Sequence, residues 1–110
     1  MDSILTSIKK LLGIAEEYEH FDADIIMHIN SVFLNLTQIG VGPVEGFSIV
    51  DKSEIWSDFI QDATKFEAVK TYVYLNVKLL FDPPSSSAVI ESINRQIERY
   101  EWRLNIAAES

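Results

Sequence analysis

Residues 66–84 read FEAVKTYVYLNVKLLFDPP, and this stretch constrains the fold more than any other. On a helical wheel of about 100° per residue, Phe66, Val69, Tyr72, Val73, Leu75, Val77, Leu79 and Leu80 fill an arc of roughly 200°, about twice what a surface helix needs. A helix this apolar has to be packed on more than one side. It is expected to be central, with Val73 and Leu79 fully buried and Glu67, Lys70, Tyr74 and Lys78 on a narrow wet strip. The run ends at Asp82-Pro83-Pro84. Proline has no amide hydrogen, and it pushes the residue before it out of the helical region. The helix is therefore expected over about Lys65 to Phe81, and Asp82, Pro83 and Pro84 form a turn that redirects the chain.

Around this helix, the few Gly and Pro residues divide the chain into further helical segments, with no repeat and no low-complexity linker. Ser3 suits the cap of a first helix to Leu12, in which Ile4, Leu5, Ile8, Leu11 and Leu12 recur at helical spacing and Lys9 and Lys10 lie within the amphipathic pattern. Gly13 followed by apolar Ile14 reads as a left-handed C-terminal cap. After the acidic connector AEEYEHF, Asp22 or Asp24 is suited to cap a second helix over about Ala23 to Ile39. Ile25, Ile29, Val32, Leu36 and Ile39 form its stripe, and Gly40 marks its end. Residues 41–50 hold turn-prone Gly and Pro and then Phe47 and Ile49 in alternation, read as a loop with a short strand as the alternative.

Two sequence capping boxes follow, Asp51 with Glu54 and Thr64 with Glu67. The first is expected to open a short helix presenting Ile55, Trp56, Phe59 and Ile60, and the second to open the central helix. Serines 85–87 supply a cap for a last helix over about Ser87 to Ala107, whose Ile90, Ile93, Ile97, Tyr100 and Leu104 repeat in steps of three and four. The fold class is all-α: a compact bundle of about four main helices plus a short one, in a single domain over residues 1–110. A chain of 110 residues with 47% hydrophobic content fits one such core.

Charge and composition narrow the function. Seventeen acidic against nine basic residues give a formal net charge of −8, which disfavours a broad footprint on nucleic-acid phosphates. Cysteine is absent, which removes disulfides, thiolate metal sites and thiol catalysis and is compatible with a reducing cytoplasm. No apolar run reaches the ~18 residues of a membrane span, and the N-terminal pattern is not that of a secretory leader. A protein that stays off the membrane and is not exported by the usual route is expected.

An enzyme requires a constellation of groups, and none stands out. There is no glycine-rich phosphate loop, nucleophile elbow, metalloprotease helix or calcium loop. His20, Asp22, Asp24 and His28 are the most metal-like group, since Asp24 and His28 stand one helical turn apart. A helix cap and an amphipathic histidine account for them more simply. Glu16, Glu17 and Glu19 read as solvated connector surface rather than as acid–base catalysts. No catalytic residue, metal ligand or cofactor is assigned.

Two tryptophans read differently. Trp56 shares one side of its short helix with Ile55, Phe59 and Ile60 and is expected to anchor the core. Trp102 falls roughly 160° from the apolar stripe of the last helix, among Glu91, Arg95, Glu98 and Arg99. Either it meets a partner or it lies across the stems of Arg95 and Arg99. Met27 and Leu34, seven residues apart, lie opposite the main stripe of the second helix. Met27, Leu34, Arg95, Arg99 and Trp102 are the candidate subunit or partner interface.

Taken in order, the segments SILTSIKKLLGI, FDADIIMHINSVFLNLTQIGVGP, GFSI with the Trp56, Asp58 and Phe59 that follow it, and YVYLNVKLLFDPPSSS through ERYEWRLN resemble the small head–tail connector proteins of long-tailed bacteriophages and Gram-positive prophages, also called adaptor or head-completion proteins. The resemblance spans essentially the whole chain. It implies a mostly helical, non-enzymatic virion protein, made in the bacterial cytoplasm and placed at the head–tail joint. There it would form a homo-oligomeric ring beneath the portal after DNA packaging, extend the DNA channel and dock the tail or stopper protein. DNA would pass through without sequence-specific binding. The family offers no catalytic residues to carry over, and its roles transfer to segments rather than to single positions. The alternatives from other classes are a small helical protein-binding adaptor or regulator, using its wet-face apolar residues, and a metal-dependent hydrolase using His20, Asp24 and His28.

Overall fold

The computed structural model describes residues 3–109 of the chain, without the side chains of Ala63 and Glu109. Its helices are α1 (Ile4–Leu11), α2 (Asp22–Gln38), α3 (Trp56–Phe59), α4 (Ala63–Phe81) and α5 (Ser87–Glu109). Among the described residues there is no strand, only an isolated antiparallel bridge between Ser3 and Ile55. The all-α bundle expected from the sequence is the fold observed.

The central position of α4 follows from its wide apolar arc. Both α2 and α5 pack extensively along α4, and α1 packs against α2 and α4. The result is a slab of 39 × 35 × 20 Å. Val69, Val73 and Val77 are fully buried, with Tyr72 and Leu75 nearly so. The expectation for Leu79 is corrected: it is only partly buried. Leu80, also placed in the arc, is 54% exposed. Both lie in the last turn of α4, where its neighbours no longer surround it. Tyr74, expected on the wet strip, is half-buried and packs against the core.

Helix ends show where local chemistry acted as expected and where it was diverted. Ser3 caps α1 by accepting from the Thr6 amide at 3.2 Å. At the end of α2, the Gly40 amide donates to the Thr37 carbonyl and the Val41 amide to Leu36 at 2.9 Å. With Gly40 at φ +87° and Val41 buried, this is a Schellman ending with its hydrophobic contact. Gly13 closes α1 with the same pair of bonds.

The start of α2 departs from expectation. Its N-cap is Phe21 and no side chain caps it; neither Asp22 nor Asp24 has that role, because the helix already begins at Asp22. The Asp51–Glu54 box does not open α3. Glu54 accepts from the Val50 and Asp51 amides while Asp51 accepts from the Ser53 amide, and the three together shape a turn. The helix starts later, where Asp58 accepts from the Ile55 amide at 3.0 Å. The Thr64–Glu67 box is displaced in the same way. Asp62 accepts from both the amide and the hydroxyl of Thr64, so α4 begins two residues before the predicted Lys65.

The segment 41–54 is a loop, for a reason the alternation of Phe47 and Ile49 did not show. The Asn30 side chain on α2 donates to the Ile49 carbonyl at 3.0 Å and accepts from its amide at 2.8 Å. A side-chain amide thus satisfies both backbone groups that a neighbouring strand would have paired. Phe47 and Ile49 turn into an aromatic cluster around Phe33, which contacts Phe59 at 4.6 Å, Phe47 at 5.2 Å and Trp56 at 6.4 Å between ring centroids. Gly42 passes so close to this cluster that an added Cβ would lie 2.4 Å from the Phe59 ring. Phe33 was not singled out in the sequence, although it stands at i+4 and i+8 from Ile29 and Ile25.

Trp56 is completely buried, as expected of a core anchor. Its indole N–H donates to Ser7 Oγ at 2.8 Å, and Ser7 in turn donates to the Ile4 carbonyl. One buried polar chain therefore ties α3 to α1.

Candidate interaction surface

The outer face of α5 is built by elimination. Its inner stripe, with Ile93 and Leu104 buried and Ile97 and Tyr100 partly so, holds it against α4. Midway, the Tyr72 hydroxyl donates to Glu101 Oε2 at 3.0 Å. Burial, with the Glu101 carboxylate beside it, pushes the Tyr72 phenol well above its ordinary range, so it remains a donor. These contacts leave the opposite side of the helix to solvent.

That side carries Arg95, Arg99 and Arg103, which are all the arginines in the chain. They stand at i, i+4 and i+8, so they share one face. Trp102 lies beside them, 66% exposed, and with Glu98 they line a shallow groove. Arg95 reaches Glu91 at 3.3 Å, and the Arg103 guanidinium lies 5.9 Å from the centre of the Tyr100 ring. Arg99 makes no ion pair among the described residues. The predicted wet-face position of Trp102 is the observed one.

Met27 and Leu34 are 60% and 59% exposed on the outer face of α2. The structure therefore does not bring the five candidate interface residues together. Two belong to α2 and three to α5, the two helices that flank α4.

The turn at Asp82, Pro83 and Pro84 lies where the sequence put it. The Asp82 amide closes α4 on the Lys78 carbonyl, and Lys78 Nζ meets Asp82 Oδ2 at 2.8 Å. Phe81 docks this end of α4 on Phe21 at 5.3 Å, with His28 beyond at 6.4 Å. After the turn the Ser86 hydroxyl accepts from the Val89 amide and α5 begins.

One side chain of consequence escaped the sequence reading. Lys9 is 2% exposed. Its ammonium donates to the carbonyls of Glu16 at 2.9 Å and Tyr18 at 2.8 Å and pairs with Asp22 Oδ1 at 2.8 Å. The acidic connector is thus folded around a buried cation, which is why Asp22 is engaged there instead of serving as a cap. The available signal was position: Lys9 stands at i+4 from Leu5, on the apolar side of α1. Beyond Asp22, the connector exposes Glu16, Glu17, Glu19 and, at the start of α2, Asp24.

His20 packs edge-on against Phe21 at 4.8 Å and His28 faces Phe81, so the metal-like residues are divided among different tasks. Among the described residues no three His, Asp or Glu side chains converge as metal ligands would, and no helix is long and apolar enough to cross a membrane. Searches of curated proteins and of solved structures return no match. Against family models, residues 4–110 match the phage connector proteins, from the first helix to the end of the last. With five helices among its described residues and exposed apolar side chains on α2 and α5, the chain belongs, on that match, to the phage connector protein family.

Proposed function

We propose that this structural phage protein joins the portal of the DNA-filled head to the tail or stopper protein, as a homo-oligomeric ring that extends the DNA channel. The observation that carries the reading is the family match over residues 4–110. Two features of the chain support it. The exposed Trp102 among arginines, with Met27 and Leu34 on the other flank, supplies the kind of side chains that concentrate binding energy between subunits. The net charge of −8 suits a conduit wall, because acidic surfaces repel the phosphate backbone and let it slide.

The test is to image DNA-filled heads made with and without this chain. The expected result is additional ring-shaped density at the portal vertex only when the chain is supplied, together with tail attachment. Identical vertices, with tails joining normally in its absence, would refute the reading.

A further inference from the structure

The outer faces of α5 and α2 differ in chemistry, the first with more cations than acids and the second with more acids than cations. On α5 the outer face carries Arg95, Arg99 and Arg103 around Trp102. On the other side of α4, the outer face of α2 carries exposed Met27 and Leu34 and runs at its N-terminal end into Asp24 and the connector's Glu16, Glu17 and Glu19. The spacing corresponds too. Arg99 lies one turn before Trp102, and Asp24 lies one turn before Met27, so a cation and an apolar anchor on one helix face an anion and an apolar seat on the other. Charges of the other sign lie near both faces and reduce the contrast without reversing it: Glu98 stands in the groove against three arginines, Glu91 is held by Arg95 and Glu101 by Tyr72, Lys52 lies beside Glu16, Glu17 and Glu19, and Lys10 and Lys70 lie near Glu16.

We infer that copies of this chain associate head to tail, the Arg–Trp face of α5 in one copy docking on the acidic and apolar outer face of α2 and its connector in the next. Two unlike faces on different helices give a heterologous contact, which repeats from copy to copy and forms a ring where the rotation between copies closes; a self-complementary face would stop at a dimer. Opposite charges on the two faces also set the direction of docking and speed encounter. The inference rests on the ring reading above for its setting and adds which faces meet.

Because the chain has no cysteine, introduced thiols report the contact directly. One variant carries Glu98→Cys together with Glu19→Cys, and two others carry each change alone. All three are treated with a short bis-maleimide, both as concentrated purified protein and in assembled particles. The expected result is a ladder of covalent multimers from the double variant. Neither single variant alone should give a product, and a mixture of the two should give dimers. Raising the salt concentration should reduce the ladder in the purified protein, since exposed charges are screened.

Dimers from Glu98→Cys alone would show a symmetric contact between α5 faces and overturn the inference. So would linkage of that residue to a different virion protein, or salt-dependent binding of duplex DNA that Arg99→Glu abolishes, since the α5 face would then belong to that partner. Particles that contain the chain at the vertex yet yield no ladder overturn the choice of faces and leave the ring reading standing. Particles that lack the chain overturn the ring reading, and the purified protein then decides the pairing of faces by itself.

Discussion

Trp56 and Trp102 are the chain's two tryptophans, and they occupy opposite environments. Trp56 sits in a four-residue helix with no stability of its own, yet it is sealed among α1, α2 and α4 with its N–H bonded to Ser7. Trp102 sits in the longest helix, 23 residues, and stands 66% exposed among arginines. Length of regular structure therefore does not mark where this protein is most tightly held. The region around Trp56 is irregular backbone fastened by buried side chains, whereas the outer side of α5 is regular backbone with a free surface. The first holds the fold together, and the second faces solvent.

The largest expected effect is on the buried side of this contrast. Trp56→Ala removes the anchor between α1, α2 and α4 and leaves the Ser7 hydroxyl without its donor, and should lower the unfolding free energy by about 3–5 kcal/mol. Chemical denaturation measures it. A loss under about 1 kcal/mol would mean that the short helix is peripheral, and the contrast would collapse.

Next comes Lys9→Met. The change keeps the length of the side chain but withdraws the ammonium from two carbonyls and from Asp22. Removing one partner of a buried ion pair costs about 3–5 kcal/mol; Asp22 remains 22% exposed, which lets water relieve part of that, so about 2–3 kcal/mol is expected. Hydrogen exchange should localise the loosening to residues 15–22. If exchange there is unchanged, the connector is held by something other than Lys9.

Replacing Pro83 and Pro84 together by alanine tests what links the two regions. Helicity by circular dichroism should hold or rise, while the angle between α4 and α5 becomes less defined and incorporation into particles falls. Normal incorporation would show that the Asp82-Pro83-Pro84 turn is dispensable.

Trp102→Ala is the counterpart of the first substitution. It should change stability by less than about 1 kcal/mol, the scale of a surface change, and yet sharply reduce the number of tailed particles. Severe destabilisation would place Trp102 in the fold after all, and normal stability with normal particles would make it an idle surface residue.

The smallest effect is one of pH. Hydrogen bonds from Thr64 hold the Asp62 carboxyl below its ordinary value of 3.8. Because the folded value is depressed, its contribution is fully present above 3.8 and is lost as pH falls through the lowered folded value. Asp62→Asn, which keeps a capping oxygen, should leave neutral-pH stability nearly unchanged and flatten the decline in stability below about pH 4. An acid limb as steep as that of the parent chain would mean the cap does not titrate in this way.

How much of this was legible in the sequence depended on the range of the interaction. The helices, the Gly13 and Gly40 endings, the halt at Phe81 and the wet-face position of Trp102 all follow from periodicity and from the fixed dihedrals of Gly and Pro, which act within a few residues. The helix starts were less legible. Asp22, Asp51 and Thr64 are chemically able to cap, but Asp22 was drawn to Lys9, Asp51 to the Ser53 amide in a turn, and Thr64 was itself bonded by Asp62. A polar side chain with several acceptable partners takes the one the fold brings nearest. Leu79 and Leu80 make the same point for apolar groups. A wheel reports which way a side chain points and says nothing of whether a neighbour reaches that turn.

The sequence by itself determined that this chain is helical, where its long helices end, which of its faces are apolar, and its likeness to the connector family, since each of these is written in spacing and order along the chain. Only the tertiary structure decided that Lys9 is buried at the centre of the acidic connector, that Asn30 replaces a strand partner for Ile49, and that Met27 and Leu34 stand on a different flank from Arg95, Arg99 and Trp102. The pairs that act here, Lys9 with Asp22, Asn30 with Ile49, Ser7 with Trp56 and Tyr72 with Glu101, are separated by 13 to 49 positions. No local rule relates residues so far apart, and their meeting is set by how α1, α2 and α5 pack around α4.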